Sequence, residues 1–121
     1  MGTPIRDRLR DALTEALKAR DRDTANVMRS ALAAIGNAEA VDVPGVDVPG
    51  ATAGAIENSP LGLAAGDVVR RELTEEQVRG IVRDEIAARE AAARTYEASG
   101  AASAAARLRT AAAALTRLCE R

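Results

Sequence analysis

Leu73–Gly100, LTEEQVRGIVRDEIAAREAAARTYEASG, carries a helix start, a helix stop and one buried-looking ion pair within 28 residues. Thr74 is placed to cap, since its hydroxyl can accept from an unpaired first-turn amide. Gln77 three residues on completes a capping box, with Leu73 and Val78 as the flanking hydrophobic staple. Glu75 and Glu76 put negative charge at the positive end of the helix dipole. Ser99-Gly100 supplies the stop, because glycine enters the left-handed region cheaply. At 100° per residue, Val78, Ile81, Val82, Ile86, Ala88, Ala92, Ala93 and Tyr96 share one face. Glu85 and Arg89 project from the middle of that face, four apart with the acid first, the favourable order for a helical pair. Two readings stay open. The pair is a structural salt bridge fixing register, or it lines a groove that meets a polar ligand.

The rest of the chain repeats this grammar. Thr3 and Pro4 predict a helix start, with Ile5, Leu9, Ala12, Leu13, Ala16 and Leu17 as its stripe. Arg20-Asp21-Arg22-Asp23 is a short break that forces an antiparallel hairpin, with Asp23 the expected cap. Met28, Ala31, Leu32, Ile35 and Ala38 form the second stripe, widened by Val27 and Ala34. The opposite face, Asn26, Arg29, Ser30, Ala33 and Asn37, has a single charge, sparse for a solvent face. It is either covered by other elements or meets a partner. After Gly100 comes a helix with nine alanines between 101 and 114, striped by Leu108, Ala111, Ala112, Leu115, Leu118 and Cys119. Arg107, Arg109 and Arg117 stand outside it, and no C-terminal cap is visible.

Between the two hairpins runs a connector, about 41–73, opening on a tandem VDVPG repeat too rich in proline and glycine for a helix. Its later apolar residues, Ile56, Leu61, Leu63, Val68 and Val69, are expected to lie on the bundle. The reading is therefore all-α: a single domain, an antiparallel four-helix bundle of two helical hairpins joined by a long connector. The helices are expected at about 4–20, 22–40, 74–99 and 101–120.

Composition agrees. The 121 residues contain no Phe and no Trp, and Tyr96 is the one aromatic residue. Leucine, isoleucine, valine and alanine suit closely packed helices better than a sandwich or barrel. Net charge is −1, so no global field draws in nucleic acid or an anionic membrane, although both ends are mildly basic and the middle acidic. The single Cys119 excludes an internal disulfide and is expected to pack as a buried thiol. The opening residues lack the apolar run of a signal peptide and no stretch reaches membrane-spanning length. A cytoplasmic setting without membrane partners is expected.

Catalysis has little to work with. Histidine is absent, which removes the commonest general base and metal ligand. No phosphate-cradling glycine loop, GxSxG or CxxC is present, and Ser59 has no evident base. Neither catalytic residues, nor a metal site, nor a cofactor is expected. For nucleic acid, the scarcity of aromatics leaves phosphate and shape recognition by Arg and Lys.

Two runs carry a family resemblance. Leu13, Leu17-Lys18-Ala19-Arg20-Asp21, Arg29, Ala34-Ile35, Asn37 and Glu39 resemble the opening of YqeY-like proteins. Leu73-Thr74-Glu75-Glu76, Val78, Val82, Glu85, Arg89, Tyr96 and Gly100 resemble that family's second half, in the same order. The resemblance leaves out 41–66, the last helix here is richer in alanine, and the family continues past the position of Arg121 into a second helical domain. It implies an all-α fold related to the tail of the B subunit of the bacterial tRNA-dependent amidotransferase. The function it implies is a non-catalytic module binding tRNA or an amidotransferase-related complex. The binding residues expected are Arg20, Arg29, Asn37, Arg71, Glu85 and Arg89. The alternatives are a helical interaction scaffold or homo-oligomer using the second helix, and, remotely, a carbon–nitrogen ligase with glutamine as amido donor.

Overall fold

The structure, a computed structural model, describes residues 2–40 and 71–120. Among the described residues four α-helices follow in chain order: α1 (Ile5–Lys18), α2 (Arg22–Glu39), α3 (Glu75–Ala98) and α4 (Ala102–Cys119). Each lies within two residues of its expected bounds. The chain divides into two units, Met1–Ile35 with Leu73–Arg121, and Gly36–Glu72. In the second unit, Ala40 N–H donates to the Asn37 carbonyl (3.2 Å) and Arg71 N–H to the Glu39 carbonyl (2.8 Å). The expectations for the VDVPG repeat, Ser59 and the apolar residues from Ile56 to Val69 lie outside the described residues.

The first unit is an antiparallel bundle of two helical hairpins. Its core draws on all four helices: Ile5 and Leu9, Val27, Met28, Ala31 and Ile35, Val78 and Val82, and Ala111, Leu115, Leu118 and Cys119. Fully burying each of the large members contributes roughly 1.5–3 kcal/mol relative to exposure. Leu32, Leu73, Ile81 and Ile86 pack against this cluster from its margin. Cross-chain bonds set the helix directions. Arg79 donates to the Cys119 carbonyl and Arg109 pairs with Glu97, so α4 runs opposite to α3. Ser30 meets Glu85 while Asp23 meets Arg107, so α2 opposes α3 and parallels α4.

The capping box of α3 is formed as expected. Gln77 N–H donates to Thr74 Oγ1 (3.0 Å) and Thr74 N–H to Gln77 Oε1 (2.8 Å). Cys119 is buried, its thiol in the core cluster. Three local expectations are corrected. Thr3 does not cap α1: Pro4 holds the N-cap position without a side-chain bond, and Ile5 N–H donates to Glu75 Oε2 at 2.7 Å. One carboxylate thus serves the positive ends of two helices, α1 and its own α3. Asp23 does not cap α2. Asp21 does, accepting from Thr24 N–H (3.1 Å) and Thr24 Oγ1 (2.7 Å), while Asp23 is drawn to Arg107. Nor is the end of α4 uncapped. Arg8 donates to the Leu118 carbonyl (2.6 Å) and Arg79 to that of Cys119, two cations at the negative end of a helix dipole.

The stripes need trimming at one end of the bundle. Leu17 and Tyr96, both assigned to apolar faces, are 49% and 46% exposed, and Ala88 is exposed as well. Leu17 and Tyr96 both fall in the last turn of their helices, beyond the reach of the packed core.

Candidate functional site

Arg20 and Arg29 line one cleft, of about 390 Å³, with Leu17, Asp21, Arg22 and Asn26 along its wall and Ala16 and Ala25 as its buried part. The turn between α1 and α2 builds it. Arg20 takes a left-handed conformation, φ 59°, which lets Asp21 N–H reach the Ala16 carbonyl (2.8 Å) and Arg20 N–H that of Leu17 (3.2 Å). This is the Schellman closure of α1, with arginine where glycine is the usual residue. Asp21 then spends both carboxylate oxygens on Thr24. Arg20, Arg22 and Arg29 are exposed and have no side-chain partner among the described residues. The cleft therefore presents three guanidinium groups against one carboxylate already engaged in capping.

Glu85 and Arg89 sit elsewhere. Arg89 Nη1 donates to Glu85 Oε1 at 2.7 Å, with the two side chains 20% and 22% exposed. Ser30 Oγ, from α2, donates to the same Oε1 at 3.0 Å. Glu85 is thus held by its own helix and tied across to the neighbouring one. That is the register-fixing arrangement, and a carboxylate so engaged is a poor partner for an external cation. The Arg89 side chain also lines a second cavity, of about 280 Å³, with Asp23, Asn26, Val27, Tyr96, Ala104, Arg107, Leu108 and Ala111. Asn26 adjoins both openings.

Two exposed ion pairs tie helices to α4. Arg107 grips Asp23 through two bonds, 2.8 and 2.9 Å, and Arg109 grips Glu97 at 2.8 and 3.3 Å. The hydrogen bond from Arg107 holds the Asp23 carboxyl below its usual range, and that from Arg109 does the same for Glu97. No group of three or more His, Cys, Asp or Glu among the described residues is placed to hold a metal. No described helix is long and apolar enough to cross a membrane.

The expected binding residues thus divide into three groups. Arg20 and Arg29 come together, Glu85 and Arg89 pair by themselves, and Asn37 and Arg71 are exposed members of the other unit, Gly36–Glu72. On the weakly charged face of α2, Asn26, Arg29 and Ala33 are exposed, whereas Ser30 turns inward to Glu85. Arg22, Leu17 and Asn26 line the cleft although none was among the expected binding residues. The signal available was the RDRD break itself, whose basic residues had to stand at a hairpin tip. No family model matches the sequence, and neither the curated proteins nor the solved structures yield a match.

Proposed function

We propose that this chain is a non-catalytic binding module that takes a folded RNA by its phosphates at the α1–α2 turn. The observation that carries the reading is the gathering of Arg20, Arg22 and Arg29 around one cleft, without a free acidic partner. A strained arginine lining that cleft supports it, since unusual backbone conformations gather at functional positions. The YqeY-like residue pattern makes tRNA, alone or with an amidotransferase-related complex, the expected ligand, and a cytoplasmic setting belongs to the same proposal.

Labelled tRNA titrated by fluorescence anisotropy tests it. Three phosphate contacts give a log–log salt slope of about −2.1 to −2.7, so affinity falls about 20- to 40-fold between about 50 and 200 mM salt. Each of Arg20→Gln, Arg22→Gln and Arg29→Gln lowers the slope by about one. Absence of binding at the lower salt ends the proposal.

A protein-interaction module, or a self-associating one, is the competing reading. The exposed Leu17 beside Asn26 and Arg29 of α2 supports it. Light scattering separates the two: a stoichiometric protein complex or dimer unaffected by nuclease selects this reading over RNA. Ammonia release from glutamine by the purified chain would instead revive the amide-ligase alternative.

A further inference from the structure

The 280 Å³ cavity is set among α2, α3 and α4 and is chemically two-faced. Val27 and Ala111, both buried, supply its apolar depth, and Leu108 lines it from α4. Tyr96 stands at its rim with nearly half its surface open. Arg89 brings charge. Both hydrogen bonds of its guanidinium leave from Nη1, to Glu85 Oε1 and to the Glu85 carbonyl. Nε and Nη2 have no partner among the described residues, and no fully buried polar side-chain atom there lacks one, so neither of these donors is completely buried. Glu85, itself held by Ser30, keeps the guanidinium from turning away.

We infer that this cavity binds a small aromatic monocarboxylate. Its ring lies against Val27, Leu108 and Tyr96, and its carboxylate lies on Nε and Nη2 of Arg89. A planar guanidinium edge matches a planar carboxylate through two parallel bonds. Space permits it: a cavity of about 150 Å³ admits benzene. Asp23 and Arg107 also line the cavity and balance each other, so one guanidinium edge, that of Arg89, is left to match one carboxylate, and the second charge of a dianion has no counterpart. The site uses none of Arg20, Arg22 and Arg29, and it stands or falls independently of RNA binding.

The test is a titration of the ¹⁵N-labelled chain with sodium benzoate, followed by amide shifts and by the emission of Tyr96, the one fluorophore of a chain without tryptophan. Benzoate is expected to shift Asn26, Val27, Tyr96 and Leu108 with a dissociation constant on the order of 1 mM, a normal strength for so small a ligand. Benzamide, with the same ring and no charge, and phenyl phosphate, a dianion, are expected to bind at least tenfold more weakly. Arg89→Gln is expected to weaken benzoate roughly tenfold. Ala104→Leu fills the cavity without touching the ion pair and is expected to abolish the shifts while circular dichroism stays helical. Benzamide or phenyl phosphate matching benzoate overturns the inference. So do shifts centred on Leu17, Arg20, Arg22 and Arg29, which line the other cleft, shifts that persist in Ala104→Leu, or no shift at about 20 mM benzoate.

Discussion

At Arg20 the chain leaves α1 with φ 59°, and at Gly100 it leaves α3 with φ 88°. The bonds around the two residues correspond one for one. Asp21 N–H reaches the Ala16 carbonyl and Ala101 N–H that of Tyr96, each at 2.8 Å. Arg20 N–H meets Leu17 at 3.2 Å and Gly100 N–H meets Glu97 at 3.1 Å. The backbone is the same and the chemistry differs. Glycine adopts this conformation almost freely, while a residue with a Cβ loses roughly 1–2 kcal/mol there. Folding alone would place glycine or asparagine at position 20, as it placed glycine at 100. The α3–α4 turn is thus what a hairpin needs, and the α1–α2 turn tolerates strain while presenting a guanidinium group.

The hairpins differ in support as well. The start of α3 is capped from its own sequence by Thr74 and Gln77. The start of α1 depends on Glu75 from the other hairpin.

The comparison can be broken most directly at the shared core. Leu115→Ala is expected to cost about 3 kcal/mol, with a range of about 2–5. Urea denaturation read by circular dichroism and by amide signals should show both hairpins lost in one transition. Separate transitions would mean that the hairpins are independent and the contrast in their support is irrelevant.

Removing the shared carboxylate is a smaller intervention. Glu75→Ala is expected to cost about 1 kcal/mol and to speed hydrogen exchange at Ile5. The Gln77 amide, held by Thr74, should stay protected. Equal loosening of both helix starts would contradict the asymmetry.

Exchanging the turn residues should give opposite signs. Gly100→Ala destabilises by about 1 kcal/mol. The cost is conformational, since a Cβ at Gly100 meets nothing within 4 Å. Arg20→Gly stabilises by about 0.5–1 kcal/mol while weakening RNA binding, as read by thermal denaturation beside anisotropy. A loss of stability in Arg20→Gly would show that the arginine side chain supports the fold.

Acid should produce the smallest effect. The Asp23 and Glu97 carboxyls titrate lower in the folded chain than in the unfolded one, because Arg107 and Arg109 hydrogen-bond their charged forms. Their contribution is complete above the unfolded values, near about pH 4, and disappears as pH falls through the depressed folded values. Denaturant midpoints measured from pH 6 down to 2 should decline less steeply in Asp23→Asn and Glu97→Gln, and both slopes should flatten in salt.

The helices and the stop at Gly100 were legible because each depends on neighbours in sequence: a 3.6-residue stripe, a box spanning four residues, a glycine. The Glu85–Arg89 pair was legible for the same reason, being four residues apart on one face. The cleft at Arg20 was only half legible. Arg20 and Arg29 stood out as basic residues, but a left-handed arginine has no signature in a residue string, and Leu17 continues the stripe of α1 past the end of the core. Asp23 was the expected cap of α2, and nothing in the residue string showed that Arg107, 84 residues away, would engage it and leave the cap to Asp21.

By itself, then, the sequence determined where the four described helices begin and end and most of the stripes they bury, because periodicity and capping act within a turn or two of the chain. Only the tertiary structure decided who satisfies the remaining helix ends: Glu75 for α1, Arg8 and Arg79 for α4. It alone brought Arg20, Arg22 and Arg29 around one cleft and set Arg89 on the wall of another. The physical reason is range. A helix end carries unpaired groups whatever its neighbours, but which side chain reaches them depends on how the helices pack.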